Sequence, residues 1–213
     1  MEEPTRSRIV AAAEALFYAD GLRSVSVDAI AERAGVTKRT LYYHFRSKDD
    51  LVAAYLAARD RPTVERYRKW LGRTGRLPDR IMAMFTELAA YADRPKWRGC
   101  GFTRAAVELA GQPGHPAVLM AADHKTRFET WLAEELRGGG VADPGLVARQ
   151  LMILLDGAIA QMLIHRDVSY ALAAGKAAVA IVTGGMAGAA VGESAARVPA
   201  AGAARAPRAM YTE

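Results

Sequence analysis

The chain of 213 residues has one cysteine, Cys100. No internal disulfide can form, which excludes a disulfide-stapled secreted scaffold and fits a reducing, cytoplasmic compartment. Proline is sparse at nine residues and aromatics make up 8%, so no proline-rich or collagen-like character is present. The opening Met-Glu-Glu-Pro lacks the apolar core and basic flank of a secretory signal. The longest charge-free stretch toward the C-terminus runs from Ala177 to Gly192 and is mainly alanine and glycine. It falls short of the ~20 residues a membrane-spanning helix needs, so no membrane association is expected. No segment alternates apolar and polar residues between hairpin turns, and no repeat of solenoid length recurs. Also missing are the Gly-x-Ser-x-Gly elbow, the phosphate loop and the dinucleotide fingerprint, so nothing points to an enzyme or a cofactor. His44, His115, His124 and His165 stand with Cys100 as the candidate metal ligands, but their spacing matches no dedicated site and no metal is expected.

What is present is helical periodicity. With 51% apolar and 24% charged residues, the chain can bury a core, and nearly every segment reads as an amphipathic helix. Ile9, Ala13, Leu16 and Phe17 form the inner stripe of a first helix that Gly21 can stop. Ser26 caps a second, ending at Gly35; Thr37 caps a third, with Leu41 and Phe45 facing inward. Ser47 and Asp50 pair as a capping box for a fourth. Further helices are predicted over about 77–93, 102–110, 116–137, 144–165 and 169–186. The fold class is therefore all-α. Residues 187–213, rich in alanine and nearly devoid of large apolar groups, read as a disordered tail.

Within this pattern Ala31, Gly35 and Leu41 carry the spacing of a helix-turn-helix. The small Ala31 lets two helices cross closely, Gly35 makes the turn and Leu41 seats the second helix on the first. Any two core helices joined by a glycine turn could share that spacing. The charge distribution adds to it. Although the net charge is +6 overall, residues 1–50 are balanced, and from Thr37 to Lys48 there are Lys38, Arg39, Arg46 and Lys48 without an acid. Thr40, Tyr42, Tyr43 and His44 add donors able to reach phosphates or base edges. A second local excess, +5, lies over residues 51–80.

Residues 6–56, above all the run from Val27 to Leu51, resemble the N-terminal domain of TetR-family transcriptional regulators. The resemblance implies a helix-turn-helix domain over 1–50 and a helical ligand-binding and dimerisation domain over 51–186. It further implies a homodimer on palindromic double-stranded DNA and release by a small-molecule effector. Carried over, Lys38, Arg39, Thr40 and Tyr43 face the major groove, with Thr37 at the start of that helix. Tyr42, His44 and Lys48 hold phosphates, helped by Ser26. Residues 99–108, with His115-Pro116 and His124-Lys125, resemble a C-terminal domain shared by one branch of the family.

The C-terminal half offers two further candidates. The segment 151–164 is apolar on nearly all sides, which calls for burial all round and hence a second subunit. Asp156 and Gln161 interrupt it, and Asp156, a carboxylate that needs a partner if buried, is either an interface hydrogen-bonder or a ligand contact. Gly157, Ala160, Ala177 and Ala178 permit close approach, so the expected dimer interface comprises Asp156, Gly157, Ala160, Gln161, Ile164, Ala177, Ala178 and Ile181. Met120, His124 and Phe128 recur every four residues and so share one helix face. With Trp97, Phe102 and Met152 they form the expected effector pocket, although a packed core with His124 bonded to a backbone carbonyl explains them equally. The alternatives are a constitutive DNA-binding regulator with a filled core and, outside that class, a helical enzyme.

Overall fold

Pro4 and Gly21 bracket the first helix, α1 (Thr5–Asp20), which buries Ile9, Ala12, Ala13 and Phe17 along one face. The Ser26 hydroxyl accepts from the Ala29 amide to open α2 (Val27–Arg33), and the Thr37 hydroxyl accepts from the Thr40 amide to open α3 (Lys38–His44). Ser47 does the same for the Asp50 amide at the start of α4 (Lys48–Leu71). Each such cap is worth ~1 kcal/mol. Between α2 and α3, Gly35 takes a φ of 64° with open space where a Cβ would point. Backbone conformation, and not crowding, is what calls for glycine there.

The computed structural model describes residues 4–112 and 114–192, with backbone alone for 188–192. The described residues form nine helices and no strand. After α4 come α5 (Leu77–Ala92), α6 (Gly101–Glu108), α7 (Pro116–Gly138), α8 (Pro144–His165) and α9 (Ser169–Gly192). The last runs on past Met186, where the sequence pattern ends it. Alanine is the strongest helix former, and Ala187, Ala189 and Ala190 carry the helix to Gly192. The rest of the expected tail, 193–213, lies outside the described residues.

Two buried clusters organise the molecule. One joins α1, α2 and α3 to Leu51, Val52, Tyr55 and Leu56 of α4, and it also takes in Phe102 and Ala105 of α6 and Ala117 and Ala121 of α7. The other is built from α5, the second half of α7, α8 and α9, with Leu71 from the end of α4. Helix α4 thus begins in one core and ends in the other. An interior proline usually breaks a helix by removing a hydrogen bond and crowding the preceding turn. Pro62 is exposed, and α4 continues through it because each half is anchored in a core. Helix α9 lies close on α5 at Gly175, where a Cβ would come within 2.8 Å of the Phe85 Cβ.

Helices α8 and α9 are long and apolar enough to cross a bilayer by length and composition. The inner side of each is spent on protein: Leu151, Leu155, Ile159 and Met162 of α8, and Ala171, Ala178 and Val182 of α9, all belong to the second core.

Candidate functional site

Leu41 and Phe45 are buried, and this fixes the rotation of α3. Lys38, Arg39, Tyr42 and Tyr43 are thereby turned to solvent and Thr40 is half-exposed. Tyr43 is 85% exposed, a large ring left uncovered by its own chain. The acid-free character of residues 37–48 does not translate into four free cations. The Lys38 ammonium pairs with Asp28 of α2 at 3.0 Å, and the Arg46 guanidinium pairs with Asp50 at 3.1 Å. Both pairs are solvent-exposed and hold their partners weakly. Arg39 makes no ion pair among the described residues. Lys48 is half-buried, its Nζ 6.0 Å from the centre of the Phe17 ring. His44 is half-buried with its ring edge-on to Tyr43. Ser26 and Thr37 serve as caps, and the Thr37 and Thr40 hydroxyls are 2.9 Å apart. The nine predicted residues therefore lie at the start of α2, at the cap and along the length of α3, and at the start of α4.

Helices α1 and α4 are tied to the C-terminal helices by contacts the sequence did not flag. The Tyr18 hydroxyl of α1 donates to the Gly99 carbonyl at 3.2 Å and accepts from the Arg98 amide at 3.0 Å. Glu108, at the end of α6, accepts from the Leu22 amide at 2.7 Å and the Arg23 amide at 3.3 Å. His115 caps α7 by accepting at Nδ1 from the Ala117 amide (3.0 Å), which leaves Nε2–H to face Asp49 of α4 at 3.2 Å. His124 of α7 and Asp60 of α4 are 2.5 Å apart, and Arg127 reaches the second oxygen of the same carboxylate at 2.9 Å. Burial would raise the Asp60 pKa, but the hydrogen bonds from His124 and Arg127 outweigh it and hold the carboxyl below its usual range. For His124, burial dominates and pushes the pKa down in spite of Asp60. Neutral His124 thus donates Nδ1–H to ionised Asp60. Its ring stacks on Phe102, with centroids 3.7 Å apart. The backbone-carbonyl partner considered for His124 is replaced by this carboxylate.

The six residues expected around an effector are split. Trp97 and Phe102 line a cavity of about 40 Å³ with Tyr18, Arg59, Arg66, Tyr67 and Tyr91 among its walls. His124, Phe128 and Met152 line a second, of about 20 Å³. The two adjoin, sharing Tyr67, Cys100 and Ile159. Met120 belongs to neither. It packs on the first core and borders an open groove with Arg6, His44 and Phe45. Met120, His124 and Phe128 do share a face, but α7 rises 1.5 Å per residue, and over eight residues that face crosses from one core to the other. Cys100, unpaired and half-buried, stands at the start of α6. The described residues hold no cluster of metal-ligating side chains.

The expected interface is also divided by helical phase. Gly157, Ala160, Gln161, Ile164 and Ala177 face solvent, and Ile181 is half-buried. Ile153 and Ile164 are 67% and 68% exposed, and with Gly157 and Ala160 they make one uncovered apolar stripe along α8. Ala178 is instead fully buried in the subunit's own core, one residue round the helix from Ala177. Asp156 turns inward, accepting from Lys125 Nζ at 2.5 and 2.8 Å and from the Thr103 hydroxyl at 3.4 Å. Ala178 is thus covered by its own subunit, and Asp156, which also lines the second cavity, is paired within its own.

Residues 9–55 match the family model described as bacterial regulatory proteins, tetR family. A solved structure from Streptomyces avermitilis, assigned as a TetR transcriptional regulator, is 32% identical with a TM-score of 0.75. The alignment covers 86% of this chain and 98% of that one. A TetR-family transcriptional regulator from Streptomyces coelicolor is 31% identical with a TM-score of 0.72, over 86% and 94% of the two chains. The chain belongs to the TetR family. Among curated relatives, the HTH-type transcriptional regulator SrpR of Pseudomonas putida is 43% identical over 60 residues, 28% of each chain. The HTH-type transcriptional regulator YjdC of Escherichia coli is 26% identical over 76% of this chain and 85% of its own. The match thus spans under a third of the length of SrpR and most of YjdC. These relatives are transcriptional regulators, and a TetR-family chain is a DNA-binding transcriptional regulator.

Proposed function

We propose that this TetR-family regulator is a cytoplasmic homodimeric repressor that leaves a palindromic operator when a small molecule binds between its C-terminal helices. The outward face of α3, with exposed Lys38, Arg39, Tyr42 and Tyr43, is the observation that carries the DNA-binding part. Arg39 and Lys38 supply base-edge and phosphate donors, and Tyr42, His44 and Lys48 position the domain on the backbone. The uncovered stripe Ile153, Gly157, Ala160 and Ile164 supports the dimer. A two-fold pair matches a palindrome when its recognition helices lie about 34–36 Å apart, or a multiple of that. An effector weakens operator binding by the difference in its affinity for the two subunit separations.

The small size of the two cavities, about 40 and 20 Å³, favours a second reading, a constitutive regulator whose core admits no effector. A gel shift and footprint on the DNA flanking the chain's own gene tests the first step. A protected palindrome with two half-sites is expected, and no shift on any flanking fragment overturns it. A metabolite screen for release of that DNA then separates the inducible from the constitutive reading.

A further inference from the structure

The larger cavity has a chemical bias. Five of its wall residues, Arg59, Thr63, Arg66, Tyr67 and Trp70, come from one face of α4 at i, i+4, i+7, i+8 and i+11. The wall contains two arginines and no acid. Arg59 is already neutralised by Glu14, 2.7 Å away. Arg66 has no carboxylate within 4.0 Å among the described residues. It donates to the Tyr91 hydroxyl and, at 3.5 Å, to the Thr63 hydroxyl, with its guanidinium 4.5 Å from the centre of the Tyr91 ring. Those two bonds leave several of its five donors unspent. Thr63, Arg66, Trp70 and Tyr91 are half-exposed and mark the mouth, whereas Leu88, Trp97, Phe102 and Ile159 are buried and form the floor. Half-buried Tyr67, whose hydroxyl pKa is pushed up by desolvation, adds a neutral donor.

We propose that this cavity binds a small monocarboxylate, its carboxylate held by Arg66 at the mouth and its short apolar body resting on Leu88, Trp97, Phe102 and Ile159. The inference rests on the effector-responsive reading and names the class of effector. A cation is repelled by Arg66, whose charge no carboxylate offsets among the described residues. A neutral apolar ligand strips water from Arg66 without replacing its hydrogen bonds, which is costly. A carboxylate accepts from the guanidinium in its planar fork geometry. Size fits the same class. At roughly 10–15 Å³ per water-sized group, about 40 Å³ holds a body of three or so carbons, with the adjoining cavity as space for a longer one. Tyr18 of α1 also lines this site, so an occupant touches both the helix-turn-helix domain and α4.

The test uses the full chain and a chain-length series of unbranched monocarboxylates from acetate to hexanoate, each against its own amide, at constant ionic strength. Thermal shift and calorimetric titration should show binding by the three- to six-carbon acids at least tenfold tighter than by the matched amides, the gap expected of a charge-assisted hydrogen bond. Arg66→Met should abolish the gap and Arg66→Lys should keep part of it. Amides that bind as well as acids, no binding across the series, or an acid preference that survives in Arg66→Met would each overturn the proposal. If Arg66→Met fails to fold, Arg66→Gln and the wild-type acid–amide comparison decide it. A gel shift on the same samples separates the readings. A chain that binds carboxylate but no DNA refutes the regulator, and one that binds DNA but ignores every carboxylate refutes this site.

Discussion

Arg39 and Lys48 lie within ten residues of each other, yet their surroundings assign them different work. Arg39 stands fully outward on α3 without an ion pair among the described residues. Lys48 opens α4 and leans toward Phe17. On the proposed reading, Lys48→Ala should weaken binding to all DNA sequences alike and lower the slope of log affinity against log salt by about one. Arg39→Ala should instead narrow the gap between operator and unrelated DNA. Competition binding at several salt concentrations checks both, and an unchanged salt slope in Lys48→Ala refutes the phosphate role. His124 yields a prediction about pH. Its pKa is depressed in the fold, chiefly by burial, from an ordinary value of 6.5. Below that value the unfolded chain takes up a proton that the folded chain refuses, so stability is fully present above about pH 6.5 and is lost as pH falls toward the folded value. Asp60, also depressed, acts in the same direction at lower pH. The unfolding midpoint should therefore drop between about pH 7 and pH 5, and His124→Gln should flatten that slope. Equal slopes in the two proteins would remove His124 from the account.

Two glycines separate packing within a subunit from assembly between subunits at the level of the helix. Gly175 of α9 faces Phe85, whose Cβ cannot move aside as a flexible chain end could. Gly175→Val should cost about 1–3 kcal/mol through overpacking, read as a lower urea midpoint. Gly157 of α8 meets nothing within 4 Å of an added Cβ. Gly157→Arg should leave the subunit folded but give monomers by sedimentation that no longer hold a palindrome. An intact dimer would exclude this stripe as the interface. The same helices show what periodicity can and cannot tell. The caps at Ser26, Thr37 and Ser47 and the breaks at Gly21 and Gly35 were legible because each acts through its own backbone. The inward stripe of α3 was legible too, and from it the outward face. The phase of α8 and α9 was not: on a helix apolar all round, no polar side marks which residues its own subunit covers. Ala178 was accordingly assigned outward and is buried, and Asp156 was assigned to the interface and meets Lys125. Met120 failed for a different reason, since a stripe on one long helix does not show where one core stops and the next begins.

Across the whole molecule, the helix-turn-helix domain is not a bead on a linker. Its core includes residues of α6 and α7, and α4 runs unbroken between both cores. The sequence singled out Gly99 to Glu108, His115 and His124 but not their partners, because Tyr18, Glu108, Asp49 and Asp60 gain those from residues 60 or more positions away. Two arginines of the +5 excess over residues 51–80, Arg59 and Arg66, line the larger cavity. Two of the junction contacts are separable from the rest. Tyr18 bridges α1 to the Gly99 segment, and Glu108 holds the backbone that follows α1. Neither side chain lies on the DNA face or on the α8 stripe. Removing both should therefore leave each core intact while loosening one from the other. We expect wild-type chain to unfold in a single calorimetric transition and Tyr18→Phe/Glu108→Ala to unfold in two, with the helix-turn-helix part melting first. Each transition should carry a smaller enthalpy than the single one, because unfolding enthalpy scales with the residues that melt together. Amide exchange would place the earlier transition in α1, α2 and α3. The double variant should still bind operator, but a ligand that releases DNA from wild type should release it only at higher concentration, since the hydroxyl bridge from α1 to the Gly99 segment of the cavity wall is gone. A single transition together with unaltered release would show that α4 and the α6 and α7 residues packed in the first core couple the two ends without these two contacts.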